Sequence, residues 1–163
     1  MKPVAIFRNV AHEGPGFLAT FLNENAIASV LFDTSDMARL PTRIVDYSGL
    51  VLMGGPMSVN DELPWIDPVL TLIKQAMALD LPVLGHCLGG QLMAKASGAR
   101  VSKNTQKEIG WAAVTVADNP VAKRWLADIE QFYGFHWHGE TFELPAGATL
   151  LLSSAHCQHQ AYA

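Results

Sequence analysis

The residues best placed to do chemistry are Gly85-His86-Cys87-Leu88-Gly89, inside the run LPVLGHCLGGQLMAKASGARV at 81–101. They form a G-x-C-x-G pattern, the thiol version of the sharp strand-to-helix turn that lifts a nucleophile clear of a sheet. The chemistry this predicts is attack of a sulfur on a carbonyl carbon. Glycines on either side remove side chains that would collide with adjoining elements, and the nucleophile itself takes unfavourable φ/ψ values. A helix starting under the sulfur favours thiolate. The backbone N–H of Leu88 then faces the place where an oxyanion forms. A second N–H comes from the Gly54-Gly55-Pro56 turn, and losing one such donor costs ~10²–10³ in rate. The competing reading makes Cys87 a small buried hydrophobe, as many free cysteines are.

A cysteine nucleophile needs a base, usually histidine, oriented by a third group. His138-Gly139-Glu140 has the His-x-Glu spacing, and on a strand both side chains share one face. His138 and Glu140 are therefore the alternative base and orienter, set against a hydrogen-bonded structural role for His138 in a loop. His136 has the same parity. The side chain of His86 is expected to point away from the nucleophile, and His12, His156 and His159 sit in polar, turn-like settings that read as surface. The six histidines show no sustained ligand spacing, so neither a metal nor another cofactor is expected.

The elements that must position these groups alternate. PVAIFRNV is a strand-type run, GPGFLATFLNEN has helical spacing, and ASVLFDT is a second strand. Leu50 to Met53 forms a third, and PWIDPVLTLIKQAMALD is an amphipathic helix opened by Pro64. LPVLGHC is the fourth strand, followed by a helix that Gly98 stops. Four strands interspersed with three helices predict an open, mostly parallel α/β sheet with helices on both faces and strands apolar on both sides. Ligands in such sheets sit beyond the carboxyl ends of the strands, where the Gly54-Gly55-Pro56 and Cys87 turns both fall. Past Gly98 the pattern changes. IGWAAVTV alternates, PVAKRWLADI is a short helix, and QFYGFHWHGETFEL and ATLLLSS are strands of an antiparallel extension.

Bulk properties bound the rest. A chain of 163 residues, half of them hydrophobic and 16% charged, is read as one globular domain, 1–163. With a net charge of −4 and no Lys/Arg block, nucleic acid is not an expected partner. No run reaches the about 18 apolar residues of a membrane span, and no cleavable leader is visible. The two cysteines, Cys87 and Cys157, give no disulfide framework, so a cytoplasmic protein with reduced thiols is expected.

GHCLGGQLMAKASGARV resembles the nucleophile segment of the class I glutamine amidotransferases. LVLMGGPMSVND is similar to their oxyanion loop, KEIGWAAV to the strand that closes over glutamine, and HWHGETFELPAGATLLLSS to the run that follows. The nearest likeness is to free-standing members similar to the amidotransferase part of GMP synthase, with a flavodoxin-like fold. The resemblance implies that Cys87 attacks the side-chain amide of glutamine, forms a γ-glutamyl thioester and releases ammonia to a separate synthetase partner. It implies oxyanion N–H groups from Leu88 and Gly55. Gln91 would contact the glutamine, with Met57 nearby, and the backbone around Gly110 and Trp111 would hold its α-amino and carboxylate ends. Other readings are a solvated Gln91 and a Trp111 indole packed on its strand.

The family's His-Pro-Glu triplet is not in this sequence, which stops at CQHQAYA, so a C-terminally incomplete domain is expected, with TLLLSS lacking a strand partner. Two further readings stay open: a glutamine-binding or regulatory module without a base, and a γ-glutamyl hydrolase or peptidase on the same fold.

Overall fold

A computed structural model describes residues 2–163. They form two compact units, one ending at Ala96 and the other running Ser97–Ala163.

The first unit is built on a parallel sheet. Its strands are β1 (Val4–Arg8), β2 (Ser29–Asp33), β3 (Gly49–Leu52) and β4 (Val83–Gly85), in the order β2-β1-β3-β4. Its helices are α1 (Phe17–Glu24), α2 (Ile66–Ala78) and α3 (Leu88–Ala96). The strand order is that of a flavodoxin-like doubly wound sheet. Leu18 and Leu22 of α1 pack on Ile6 and Val51, which are register partners on one face. α3 approaches the next residue of β3, Leu52, so closely that its second residue must be glycine. Burial of Ile66, Val69, Leu70, Leu72, Ile73 and Ala76 along α2 matches the helical spacing read from the sequence.

The expected two-sided burial holds for β1 and β3. It fails for β2 and β4, where Val30, Leu31 and Leu84 are exposed, because these two strands are the edges of the sheet. α2 starts at Ile66, two residues after Pro64.

The second unit is an antiparallel sheet in the order β6-β5-β7-β8 with one short helix. Its strands are β5 (Val101–Val116), β6 (Gln131–Phe142), β7 (Leu150–Ser154) and β8 (Ala161–Tyr162). Helix α4 (Pro120–Leu126) is capped by Asn119, whose Oδ1 accepts the Ala122 N–H at 2.9 Å, with Pro120 opening the first turn.

The antiparallel strands expected past Gly98 are present and form a sheet of their own. β5 is 16 residues long, and β6 pairs with it from Val101↔Phe142 to Thr115↔Gln131, around a bulge between Lys103 and Glu108. The expectation that TLLLSS lacks a partner is corrected. β7 is paired on both sides, with β5 through Val114↔Ser154 to Val116↔Leu152 and with β8 through Leu150↔Tyr162. The missed signal was β8, whose two residues are too short to show a period. No helix among the described residues is long and apolar enough to cross a membrane.

Candidate active site

Cys87 sits between the end of β4 and the first residue of α3, with φ +52°. A side chain-bearing residue rarely adopts that conformation, which costs ~1–2 kcal/mol relative to the ordinary helical region. It is held there from both sides. A Cβ on Gly85 would lie 2.5 Å from the Gly89 carbonyl carbon, and one on Gly89 would lie 2.1 Å from the Leu52 carbonyl oxygen. The two flanking glycines are therefore steric necessities that let strand, turn and helix touch backbone to backbone. His86 N–H bonds to the Leu52 carbonyl at 2.9 Å and Gly89 N–H to the His86 carbonyl at 2.9 Å, fixing the turn. The alternative of a buried, inert thiol does not hold, since Cys87 is exposed while Cys157 is buried; both are free thiols.

The turn after β3 lies against this cysteine. A Cβ on Gly54 would meet Cys87 Cβ at 3.6 Å, the Glu13 carboxylate at 3.4 Å and His86 Nδ1 at 3.7 Å. One on Gly55 would press on Met57 Sδ and Leu88 Cδ2, so Gly55, Met57 and Leu88 are neighbours. Gln91, one turn along α3 with its N–H on the Cys87 carbonyl at 3.2 Å, is only 7% exposed. That corrects the reading of Gln91 as a solvated residue.

A residue not singled out in the sequence organises this loop. Asn9, 7% exposed at the end of β1, donates from Nδ2 to the carbonyls of Met53 at 2.9 Å and Gly54 at 3.0 Å. Its Oδ1 accepts from Thr34 Oγ1 at 3.3 Å. In a planar trans peptide the C=O and N–H point opposite ways, so fixing the Gly54 carbonyl also fixes the Gly55 N–H, pointing away from Asn9. The signal was an Asn directly after a buried strand, which reads equally well as a loop residue. Asn9→Ala is expected to cost about 1–3 kcal/mol by stranding buried carbonyls. It should also lower turnover ~10–100-fold by loosening the Gly55 N–H. Thermal unfolding and steady-state rates check both.

The electrostatics of the thiol differ from the sequence expectation. Burial of the sulfur's surroundings pushes the Cys87 thiol above the usual value; the Leu88 N–H pulls it down and the Glu13 carboxylate raises it further. The helix terminus alone does not make a thiolate here, because desolvation penalises the charge more than one N–H repays. Removing the acid should shift the balance. Glu13→Gln is expected to move the pH profile of Cys87 alkylation to lower pH, with faster reaction at neutral pH. A profile unchanged or moved to higher pH contradicts this assignment.

The remaining expected residues lie in the second unit. Gly110 has φ +115° on β5, a conformation that suits glycine, and pairs with His136. Trp111 is 73% exposed, against the alternative reading of a packed indole, and its ring stands edge-on to Phe135, with ring centroids 5.6 Å apart. His138 and Glu140 are on strand β6 rather than in a loop. His138 Nδ1 lies 3.0 Å from the Glu140 backbone carbonyl, and the carboxylate that meets its ring is that of Glu108, 3.0 Å from Nε2. His159 is not a surface residue as expected: its Nδ1 is 2.7 Å from the Phe142 carbonyl and its ring stacks on Phe142. Among the described residues, one group has the spacing of metal ligands, Glu108, His136 and His138. The sequence reading missed it because Glu108 comes from across the β5–β6 ladder.

A parallel α/β sheet carrying a cysteine elbow beside a glycine loop defines a nucleophile-elbow protein of the doubly wound class. The profile of the class I glutamine amidotransferases matches residues 22–162. The chain belongs to that family. It is 33% identical over 127 residues to the glutamine amidotransferase-like protein YfeJ of Salmonella typhimurium, covering 74% of this chain and 53% of YfeJ. It is 36% identical over 114 residues to GMP synthase (glutamine-hydrolyzing) of Bacillus subtilis, covering 69% of this chain but 21% of that enzyme. Among solved structures, a glutamine amidotransferase from Methylobacillus flagellatus superimposes with a TM-score of 0.97 at 45% identity, over all of this chain and 66% of that one. The chain thus spans about half of YfeJ and about a fifth of the GMP synthase.

Proposed function

We propose that the protein hydrolyses the side-chain amide of glutamine, or of a closely related γ-glutamyl compound, through Cys87. The observation that carries this is the Cys87 elbow itself: a thiol held at φ +52°, the Leu88 N–H acting on its sulfur, and Gly54 against its Cβ.

In the reaction, the deprotonated sulfur attacks the amide carbon. A C–S bond forms, and the carbonyl π electrons move to oxygen, where the N–H groups of Leu88 and Gly55 stabilise the charge. Collapse breaks the C–N bond, the nitrogen leaves as ammonia after gaining a proton, and a γ-glutamyl thioester remains. Water then adds to the thioester, releasing glutamate and returning the thiol. Gln91, one helical turn after the nucleophile, and Met57, beside Gly55, are assigned to the bound glutamine. Ammonia passes to a synthetase, as the likeness to part of a glutamine-hydrolysing GMP synthase suggests.

One observation favours a second reading. The upward shift of the Cys87 thiol suits a glutamine-binding module with little turnover. Supplying glutamine labelled with ¹⁵N in its amide separates the two. Equal amounts of glutamate and labelled ammonia support hydrolysis, whereas saturable glutamine binding without ammonia sinks the enzymatic reading and leaves the binding one.

A further inference from the structure

The second unit contains a buried polar cluster that the proposed hydrolysis does not explain. Glu108 and His136 are 5% and 6% exposed. Glu108 Oε2 lies 3.0 Å from His138 Nε2 and 3.6 Å from His136 Nδ1. Strand register builds this arrangement. Glu108 pairs with His138 across the β5–β6 ladder, and His136 follows two residues along on the same face.

The cluster converges on one point. His138 Nδ1 faces the Glu140 carbonyl. Its Nε2 faces a carboxylate oxygen of Glu108 at 3.0 Å. Ser154 spends its hydroxyl proton on Glu108 Oε1 at 2.6 Å. The Gln160 amide sits at that point. Its nitrogen is 2.5 Å from Glu108 Oε2, 3.1 Å from His136 Nδ1, 3.2 Å from His138 Nε2 and 3.0 Å from Ser154 Oγ. Four polar atoms of three residue types thus surround one nitrogen, while His136 Nε2 is buried without a hydrogen-bond partner among the described residues. The nitrogen stands where a small cation would satisfy all of them.

We infer that Glu108, His136 and His138 form a binding site for a divalent transition metal of the zinc class, with the Gln160 amide in the metal's place in this structure. Two imidazoles and a carboxylate are a zinc donor set. Tetrahedral bonds of ~2.0–2.2 Å separate ligand atoms by about 3.4 Å, and the observed 3.0 and 3.6 Å bracket that value. The Glu140 carbonyl orients His138 as outer-shell partners orient metal-bound imidazoles. Binding requires only that Gln160 turn its amide out or offer its oxygen. This site is independent of Cys87 chemistry.

Cobalt(II) titration of the intact, metal-stripped protein tests the inference. Expected is a 1:1 complex with the d–d bands of a tetrahedral nitrogen/oxygen site, no thiolate charge-transfer band, and displacement by zinc. Glu108→Gln and His138→Ala should each weaken it by more than about 100-fold. Gln160→Ala, which removes the competing amide, should tighten it about tenfold or more, the loss of one or two hydrogen bonds in the metal-free state. That variant decides the matter even if the ligand variants fail to fold. A cluster serving only as a hydrogen-bonded tie between strands would lose stability and gain no metal. Absence of stoichiometric cobalt binding in both the unmodified protein and Gln160→Ala overturns the proposal, as does binding that survives His138→Ala or shows thiolate character.

Discussion

Cys87→Ala is expected to lower glutamine-dependent ammonia release by about 10⁴-fold or more, the scale of losing a covalent nucleophile. The fold should survive, because the side chain is exposed and packs into no core. The backbone at φ +52° adds a sharper expectation. A glycine relieves the left-handed strain, so Cys87→Gly should be inactive yet more stable than the unmodified protein by ~1 kcal/mol. Alanine keeps the strain and should be near neutral. Gain of stability on loss of function is the mark of strain kept for catalysis. If Cys87→Gly instead unfolds more easily, the thiol is a structural element and the assignment of its role fails. Thermal unfolding of the two variants beside ammonia assays gives the comparison.

Gly89→Ala and Gly90→Ala should differ sharply, although the residues are adjacent in α3. A Cβ at Gly89 would sit 2.1 Å from the Leu52 carbonyl oxygen and 2.7 Å from its carbonyl carbon. Neither atom can move without displacing the end of β3 and the Gly54-Gly55 turn that follows. The cost is expected to be at least about 3 kcal/mol, with turnover lost as the oxyanion donors separate. In a chain of this length that lowers Tm by roughly 6–12 °C. A Cβ at Gly90 meets nothing nearer than the Gly85 carbonyl oxygen at 3.7 Å, an ordinary contact. There the better helix propensity of alanine should raise stability by about 0.5–1 kcal/mol. Paired thermal melts decide this, and equal effects at the two positions contradict the packing account of the elbow.

The parts of this molecule that announced themselves in the sequence were those governed by local chemistry or a long period. G-x-C-x-G marked the elbow because two backbone collisions demand glycine on both sides of the nucleophile. The helical face of α2 was visible in its repeating apolar residues. The edges of the parallel sheet were not legible, since β2 and β4 are as apolar as β1 and β3 and only the strand order shows which lie outside. Asn9 escaped notice because its purpose, holding the Met53 and Gly54 carbonyls, spans 44 and 45 residues. The Glu108, His136, His138 and Gln160 cluster needed the β5–β6 register and the return through β7, which no spacing along the chain encodes. The thiol's electrostatics were misjudged for a related reason. The helix terminus is visible in sequence, but the desolvation that outweighs it, and the approach of Glu13, belong to the folded surface.

The central claim is that Cys87 is a nucleophile aimed at a glutamine amide. A chloroketone analogue of glutamine, carrying the same α-amino and carboxylate groups, tests it most directly when followed by intact mass and peptide mapping. The account predicts a single adduct on Cys87, none on the buried Cys157, and protection by free glutamine but not by an amino acid lacking the side-chain amide. An unmodified Cys87, or labelling that glutamine does not slow, would contradict it.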